Sequence, residues 1–447
     1  MNERRAQRHP GRGFHTITLG CKLNQFDTAA IEGELLRRGL TPEPDLSRAS
    51  VVVVNTCTVT GKADAEARKR IRGVRRQNSG CRLIVTGCYA ELDPEAISSI
   101  AGVDVVCGHR DRGRLSRALD ELSVGPPGGD RGCDASFDLP PALHFGDRSR
   151  AFLKVQEGCR LACSYCIIPT VRGPSRSVPP EAVERDALAL FRSGYREIVL
   201  TGVNVGDYGR DLEPRTSLAA LLRRLLAVSG PQRIRLNSLE PLTVTDEIIE
   251  LMAADDRLAP HLQVPLQSGS PSVLRDMRRN YRLEQYLERV QRVRAAVPHV
   301  GLGADVIVGF PGETDERFRE TYDFIASSPL NYLHVFAWSP RPGTPAAARP
   351  DRVHGTAVRS RSAALRRLAG RLGFRFRSRF EGRRLDAIVL APREDGRLRA
   401  LTGNFIEVAV RSGSATRRQP VRVRISRVTP CDTLGVVDGT PEWASAT

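Results

Sequence analysis

Cys159, Cys163 and Cys166 form a CxxxCxxC triplet in the run EGCRLACSYCIIP, just after a predicted strand. Three thiolates on one short loop can hold three corners of a cubane iron–sulfur cluster and leave its fourth iron open to a small bidentate molecule. A zinc site is the alternative, but structural zinc takes four ligands, and the next candidates, His144 and His261, do not follow zinc-binding spacing. A second constellation is spread over the first hundred residues: Cys21 in TLGCKLNQFDT, Cys57 in VNTCTVT and Cys88 in TGCYAE, each just beyond the C-terminal end of a predicted strand. Parallel strands share one edge at those ends, so three thiolates can converge there and hold a second cluster with its own open iron. The rival reading, cysteines buried as small hydrophobes, suits one such residue better than three in the same strand-end position. Of the other cysteines, Cys81 precedes its strand, Cys133 lies in a linker and Cys431 is near the C-terminus, so each reads as an incidental thiol. Cys107 ends a strand, but one more ligand would close the open iron, and it reads as a core residue.

Positioning these thiols takes parallel strands. Residues 14–122 alternate short apolar runs with helical patterns: FHTITLG, SVVVVN, RLIVTG and VDVVCG read as buried parallel strands, and residues 26–38, 62–77 and 112–121 have helical periodicity. The pattern predicts a doubly wound α/β domain. The stretch GPPGGDRGCDASFDLPP predicts an interdomain linker. From residue 151 the alternation resumes, with AFLKVQ, EIVLTG, RIRLNSLE, HLQVPLQ, GLGADVIVG and NYLHVFAW as strands and residues 180–192, 218–228 and 283–296 among the helices. Six such units predict a partial (β/α)6 barrel whose reactive face lies at the strand C-terminal ends. Residues 353–380 predict an Arg-studded helix or pair of helices; LDAIVLAP, RLRALTGNFIEVAV and PVRVRISRV alternate in twos, as a small antiparallel β-barrel does. The expected domains are 12–124, a linker over 125–144, 145–380 including the connecting helix, and 381–441.

Composition narrows the function classes. The chain has 447 residues, 40% hydrophobic and 27% charged, a soluble globular balance. No apolar run approaches the roughly 18 residues of a spanning helix, and the basic start MNERRAQRHPGRG leads into no apolar segment, so no membrane association and a cytoplasmic location are expected. Ten cysteines in that setting argue for metal or redox chemistry over disulfides. Net charge is +17, and residues 359–427 alone hold nineteen Arg against five acids. A block of that sign favours a polyanion through counterion release, with a solvated surface as the plain alternative.

The CxxxCxxC triplet with Tyr165 before its third cysteine resembles the radical S-adenosylmethionine superfamily. The resemblance implies a [4Fe-4S] cluster on Cys159, Cys163 and Cys166 that binds S-adenosylmethionine through its amino and carboxylate groups, injects one electron and releases a 5′-deoxyadenosyl radical. Over nearly the whole chain, TLGCKLNQ, VNTCTVTGKAD, CRLACSYCIIPTVRGPSRS, TGVNVGDYG, PLQSGSPSVLRDMRR and DVIVGFPGET, in that order, resemble the methylthiotransferase family, and LTGNFIEVAV resembles its TRAM domain. TLGCKLNQFDT is similar to the branch that methylthiolates threonylcarbamoyladenosine next to the tRNA anticodon; the branches acting on isopentenyladenosine and on an aspartate of ribosomal protein S12 usually carry other residues after the first cysteine. Asn237 and Gln263 depart from the family pattern, which has Ser and His there.

Adenine carbon 2 carries an unactivated C–H bond that no general base deprotonates usefully, so a radical route is required. On the resemblance, the radical made at the Cys159/Cys163/Cys166 cluster attacks that carbon, while a second [4Fe-4S] cluster on Cys21, Cys57 and Cys88 presents a methylated sulfur. One S-adenosylmethionine serves as methyl donor and a second as radical source, and no catalytic side chain beyond the cluster ligands is implied. Thr201 and Gly202, ending the second barrel strand, resemble the turn that meets the S-adenosylmethionine amino group; Tyr165, Ser238 and the backbone around Val306 belong to the same cofactor pocket on this reading. The implied partners are the tRNA anticodon stem-loop, a reducing electron-transfer protein and a sulfur donor of unknown identity. Arg of residues 353–380 and of the C-terminal β domain would contact phosphates without reading sequence, and the target base would be splayed out of its loop into the barrel. From another class, an RNA-binding iron–sulfur protein that senses redox state without turnover carries the same residues.

Overall fold

The structure, a computed structural model, describes residues 12–122, 142, 144–146, 148–228, 233–411 and 415–445. Apart from Ala142 and His144, the expected linker over 125–144, with Cys133, lies outside the described residues, as does the basic start of the chain. The chain divides into two compact units, Met1–His144 with Cys166–Pro174, and Phe145–Tyr165 with Ser175–Thr447.

The first unit runs through β1 (Gly13–Thr18), α1 (Lys22–Arg37), β2 (Thr41–Pro42), β3 (Val51–Thr56), α2 (Gly61–Gln77), β4 (Arg82–Gly87), α3 (Cys88–Leu92), α4 (Pro94–Ser98), β5 (Val105–Gly108) and α5 (Arg112–Asp120). Its strands make one parallel sheet in the order β2-β1-β3-β4-β5. The central strands β3 and β4 are buried on both faces, which is why they are almost continuously apolar. Val52, Val54, Leu83 and Val85 pack with Ala67, Ile71 and Val74 of α2 on one face. Val51, Val53 and Ile84 pack with Ile31 and Leu35 of α1 and Leu115 and Leu119 of α5 on the other. The Thr60 and Asp111 side chains cap α2 and α5 by accepting from the Ala63 and Arg114 amides. Cys107 is fully buried in the second apolar layer. The segment Cys166–Pro174 adds a further turn, α6 (Ile168–Arg172), whose Val171, with Ile167 before it, packs against Cys88.

In the second unit the strands are β6 (Ala151–Lys154), the two-residue antiparallel pair β7 (Gln156–Glu157) and β8 (Arg176–Ser177), then β9 (Glu197–Thr201), β10 (Arg233–Leu236), β11 (His261–Gln263), β12 (Gly301–Val308) and β13 (Tyr332–Ala337). The helices between them are α7 (Pro180–Arg192), α8 (Leu218–Val228), α9 (Asp246–Ala254), α10 (Pro271–Asp276), α11 (Leu283–Ala296) and α12 (Asp315–Ser327). β6, β9 and β10 form one parallel sheet and β11, β12 and β13 another. Isolated parallel bridges, Ile234 with Leu258 and Ser238 with Gln263, join the two sheets, so six parallel strands make the expected partial barrel. Three expected strands are much shorter than their sequence runs, HLQVPLQ stopping at Gln263. AFLKVQ breaks after Lys154, where Gln156 turns to pair with Ser177, and RIRLNSLE stops at Leu236. Residues 353–380 form one helix, α13 (Gly355–Ser378).

β14 (Arg384–Pro392), β15 (Leu398–Thr402), β16 (Glu407–Val410), β17 (Pro420–Val428) and β18 (Thr433–Val437) close a barrel in the order β14-β15-β16-β18-β17, before α14 (Glu442–Ser445). The expected antiparallel arrangement holds for every pair except β16 with β18, which is parallel.

This small barrel plugs the N-terminal end of the partial barrel. In the turn between β15 and β16, Phe405 stacks on His261 with ring centroids 4.3 Å apart and on Tyr332 at 5.7 Å. Phe405 sits at φ 69°, a left-handed conformation rare for a bulky side chain and one that the stacking holds in place. Arg233 donates to the Asp386 and Leu401 carbonyls, Arg235 to those of Thr402 and Gly403, and both pair with the fully buried Glu197. Glu197, Arg233, His261 and Tyr332 are the first residues of their strands, so the opposite, C-terminal strand ends are where a reactive face would stand. Among the described residues, no helix is long and apolar enough to cross a membrane.

Candidate active site

β1, β3 and β4 are adjacent and parallel, so the turns that follow them open on one edge of the sheet. Cys21 precedes α1 there, Cys57 follows β3 and Cys88 begins α3. The three are close enough for the Cys57 thiol to feel the charge of the other two. Gly20 makes the approach possible: at φ +106° it takes a conformation that side chains rarely adopt, and a Cβ there would lie 2.6 Å from the Cys57 Cβ. Cys21 is exposed, whereas Cys57 and Cys88 are buried. Burial pushes the Cys57 thiol up to about 11 and raises that of Cys88 too, against the opposing charge of Arg172. Buried thiols with raised pKa are stabilised as thiolates by iron, and one exposed and two buried sulfurs on one edge fit a cluster with three protein ligands.

Two polar residues hold this edge, and sequence reasoning passed over both. Asn24, fully buried on α1, donates to the Leu19 carbonyl at 2.8 Å and the Thr56 carbonyl at 2.9 Å, tying two cysteine turns together. Arg172 of α6 donates from Nε to Cys88 Sγ at 3.2 Å and from Nη2 to Asn24 Oδ1 at 2.7 Å. Asn24 and Asp27, polar and three apart on a helix that buries its neighbours, were the available signal for the first; nothing local marks Arg172.

Cys159 and Cys163 belong to the second unit, and Cys166 begins the segment that belongs to the first. Cys159 Sγ accepts from the Leu161 amide at 3.4 Å, and burial pushes its thiol up to about 11. Arg279 donates to Cys163 Sγ at 3.2 Å and is itself paired with Glu240. Ser164 pins the loop: its amide donates to the Met277 carbonyl at 3.0 Å, its hydroxyl to the Asp276 carbonyl at 2.7 Å, and its own carbonyl accepts from Ala346. Tyr165 stands edge-on to Phe310 at 6.4 Å. Thiols on a pinned, partly exposed loop backed by a guanidinium suit the same cluster chemistry.

Thr201 ends β9, fully buried, with its hydroxyl donating to the Val199 carbonyl. Gly202 lies against Gln156, where a Cβ would come within 2.7 Å of Oε1; Gln156 Nε2 donates to the Glu157 and Gly158 carbonyls, bracing the start of the cysteine loop. Ser238 pairs with Gln263 through a single bridge. Along β12, Ala304, Val306 and Val308 are buried while Asp305 and Ile307 are partly exposed, so the Val306 side chain turns away from the Asp305 face and only its backbone is left to line a pocket. On that face Gln263 Nε2 donates to Asp305 Oδ1 at 2.7 Å, and His334 Nδ1 lies 3.0 Å from the same oxygen.

Residues 13–108 match the family described as Uncharacterized protein family UPF0004, and residues 153–325 match the Radical SAM superfamily. The chain is 39% identical over 424 residues to the threonylcarbamoyladenosine tRNA methylthiotransferase MtaB of Bacillus subtilis (strain 168), a match spanning 92% of this chain and 93% of that one. It is 35% identical over 416 residues to the protein of the same name from Aquifex aeolicus (strain VF5), spanning 91% and 98%. Against the tRNA-2-methylthio-N(6)-dimethylallyladenosine synthase of Fusobacterium nucleatum it is 32% identical over 417 residues, spanning 92% and 96%. Among solved structures, the radical S-adenosylmethionine methyltransferase TsrM from Kitasatospora setae superposes with a TM-score of 0.54 over 75% of each chain, at 17% identity, a likeness of fold.

Proposed function

Because the chain belongs to the methylthiotransferase family of radical S-adenosylmethionine enzymes, we propose that it adds a methylthio group to carbon 2 of N6-threonylcarbamoyladenosine next to the tRNA anticodon. The observation that carries this reading is the gathering of Cys21, Cys57 and Cys88 on one sheet edge of a chain that also bears the CxxxCxxC loop, since single-cluster radical chemistry has no use for a second thiol triad. The radical half takes a [4Fe-4S] cluster and S-adenosylmethionine. We assign that cluster to Cys159, Cys163 and Cys166, and a second [4Fe-4S] cluster to Cys21, Cys57 and Cys88. When bound, these groups supply one-electron cleavage of S-adenosylmethionine and a sulfur carrier that a further S-adenosylmethionine methylates.

The chain's own residues hold and orient. Gly20 and Asn24 fix the turns of the N-terminal thiols, and Ser164 and Gln156 fix the CxxxCxxC loop. On this reading Tyr165, Thr201, Gly202, Ser238 and the Val306 backbone shape the S-adenosylmethionine pocket, and the Gln263, Asp305 and His334 group offers polar partners to the flipped base. Arg359, Arg366, Arg367 and Arg375 are exposed on α13 with no ion-pair partner among the described residues, which suits contact with the phosphates of an anticodon stem-loop. The same reading divides the chain into a methylthiotransferase domain over 12–124, a radical core with its helix over 145–380 and a TRAM-like RNA-binding domain over 381–441. It places the enzyme in the cytoplasm beside a reducing electron-transfer protein. Mass spectrometry of tRNA nucleosides from cells with and without the gene tests it. Loss of the 2-methylthio form of threonylcarbamoyladenosine is expected; loss of the isopentenyladenosine derivative instead would move the enzyme to the other branch, and unchanged tRNA would overturn the reading.

A further inference from the structure

Arg172 is 1% exposed, and a guanidinium buried that deeply is tolerated only where its donors are matched. Its donors are spread over the N-terminal thiol edge. Nε points at Cys88 Sγ at 3.2 Å, Nη2 at Asn24 Oδ1 at 2.7 Å and at Asp27 Oδ2 at 3.2 Å, and Nη1 lies 3.5 Å from His109 Nε2. Asn24 in turn lies 3.7 Å from the Cys21 thiol and donates to the carbonyl of Thr56, the residue before Cys57. Arg172 and Asp27 are thus a buried ion pair whose guanidinium also donates to the sulfur of Cys88. Arg172 lies 84 positions after Cys88 in the sequence and six after Cys166, on the segment that the first unit absorbs.

We propose that Arg172 is a positioning residue for the N-terminal cluster: its Nε–H donates to the thiolate of Cys88 and sets the reduction potential of the cluster that Cys88 helps to hold. The proposal rests on the assignment of a cluster to Cys21, Cys57 and Cys88. The reduced form of a cluster carries one more negative charge, so an N–H donor and a guanidinium charge at a ligating sulfur stabilise it selectively and raise the potential. The Asp27 carboxylate, paired with the guanidinium, opposes the effect. One short segment therefore carries a cysteine assigned to the radical cluster and an arginine acting on the other.

The test uses the full-length chain with Cys159, Cys163 and Cys166 changed to Ala, reconstituted with iron and sulfide without oxygen, so that only the N-terminal site remains. About four irons per chain are expected, and the readouts are iron content and the midpoint of a redox titration followed by electron paramagnetic resonance. In this background Arg172→Gln should move the midpoint to more negative potential, Arg172→Lys should restore part of the shift, and Asp27→Asn should move it the opposite way. A role confined to packing gives no such pair of opposite signs. Should Arg172→Gln hold no iron, Arg172→Lys and Asp27→Asn decide by the same criterion. A parent chain without iron would overturn the cluster assignment itself. Iron retained with one common midpoint in the variants would overturn the role of Arg172 and leave the cluster standing.

Discussion

Cys21 meets solvent while Cys57 and Cys88 are enclosed, and burial holds the Cys57 thiol up at about 11. In the iron-free protein, iodoacetamide at pH 7 should therefore label Cys21 before Cys57 and Cys88. Labelling of Cys57 should climb as pH rises toward its pKa, because only the thiolate reacts; peptide mass mapping at pH 7 and pH 10 reads this, and equal labelling at pH 7 would contradict the packing. With clusters loaded, Cys88→Ala should stop methylthio transfer yet leave 5′-deoxyadenosine production, whereas Cys166→Ala should abolish both. Cys107→Ala should keep both activities at a cost of about 1–2 kcal/mol in stability, since it empties a small volume in an apolar layer. The gathering of Cys21, Cys57 and Cys88 on one sheet edge was legible because a shared strand edge is a consequence of local order. Asn24 and Arg172 were not, since the partners are 148 positions apart and no spacing rule connects them.

At the scale of elements, the basic block separates into arginines with internal work and arginines without it. Arg361 is buried against Glu313 and Asp315, and Arg377 is spent on the carbonyls of Pro430 and Asp432. Arg366, Arg367 and Arg375 are, with Arg359, exposed on the solvent side of α13 without an ion-pair partner among the described residues. Changing Arg366, Arg367 and Arg375 to Gln should lower the slope of log affinity for tRNA against log salt by roughly 2–3; filter binding over a salt series measures it, and an unchanged slope would make α13 a merely solvated face. Composition could not sort the two groups, because the sorting depends on which acids the fold brings near. The barrel helices and strands were readable by period, whereas β18 escaped notice: TLGVV is five residues long with a glycine at its centre, and only barrel closure makes it a strand. Burial disfavours the Glu197 carboxylate, but the guanidinium groups of Arg235, Arg233 and Arg150 overcome this and hold its pKa well below the usual range. The stability it contributes is present at neutral pH, persists through mild acid and is lost only as pH falls through that depressed value. Glu197→Gln would leave buried arginines without their counter-charge, and a loss of about 3–5 kcal/mol is expected in urea unfolding.

The whole molecule is less modular than its composition suggests. A chain cut after Phe380 would lose the carbonyls that satisfy Arg233 and Arg235 and the ring that stacks on His261 and Tyr332, so it is expected to aggregate or melt early instead of behaving as an independent partial barrel. Light scattering on heating checks this; a soluble truncated chain with an unchanged melting temperature would show that the seam is dispensable. The other joint lies in time. The first unit has all five of its strands once residue 108 has been made, but Ile167, Val171 and Arg172, which cover and contact Cys88, belong to a segment that ends at Pro174. At 5–20 residues per second the ribosome needs roughly 3–13 s more to deliver it. Throughout that interval the nascent sheet edge carries its thiols without the cover from α6, so the moment at which those thiols are enclosed is set by synthesis of the chain as far as Pro174.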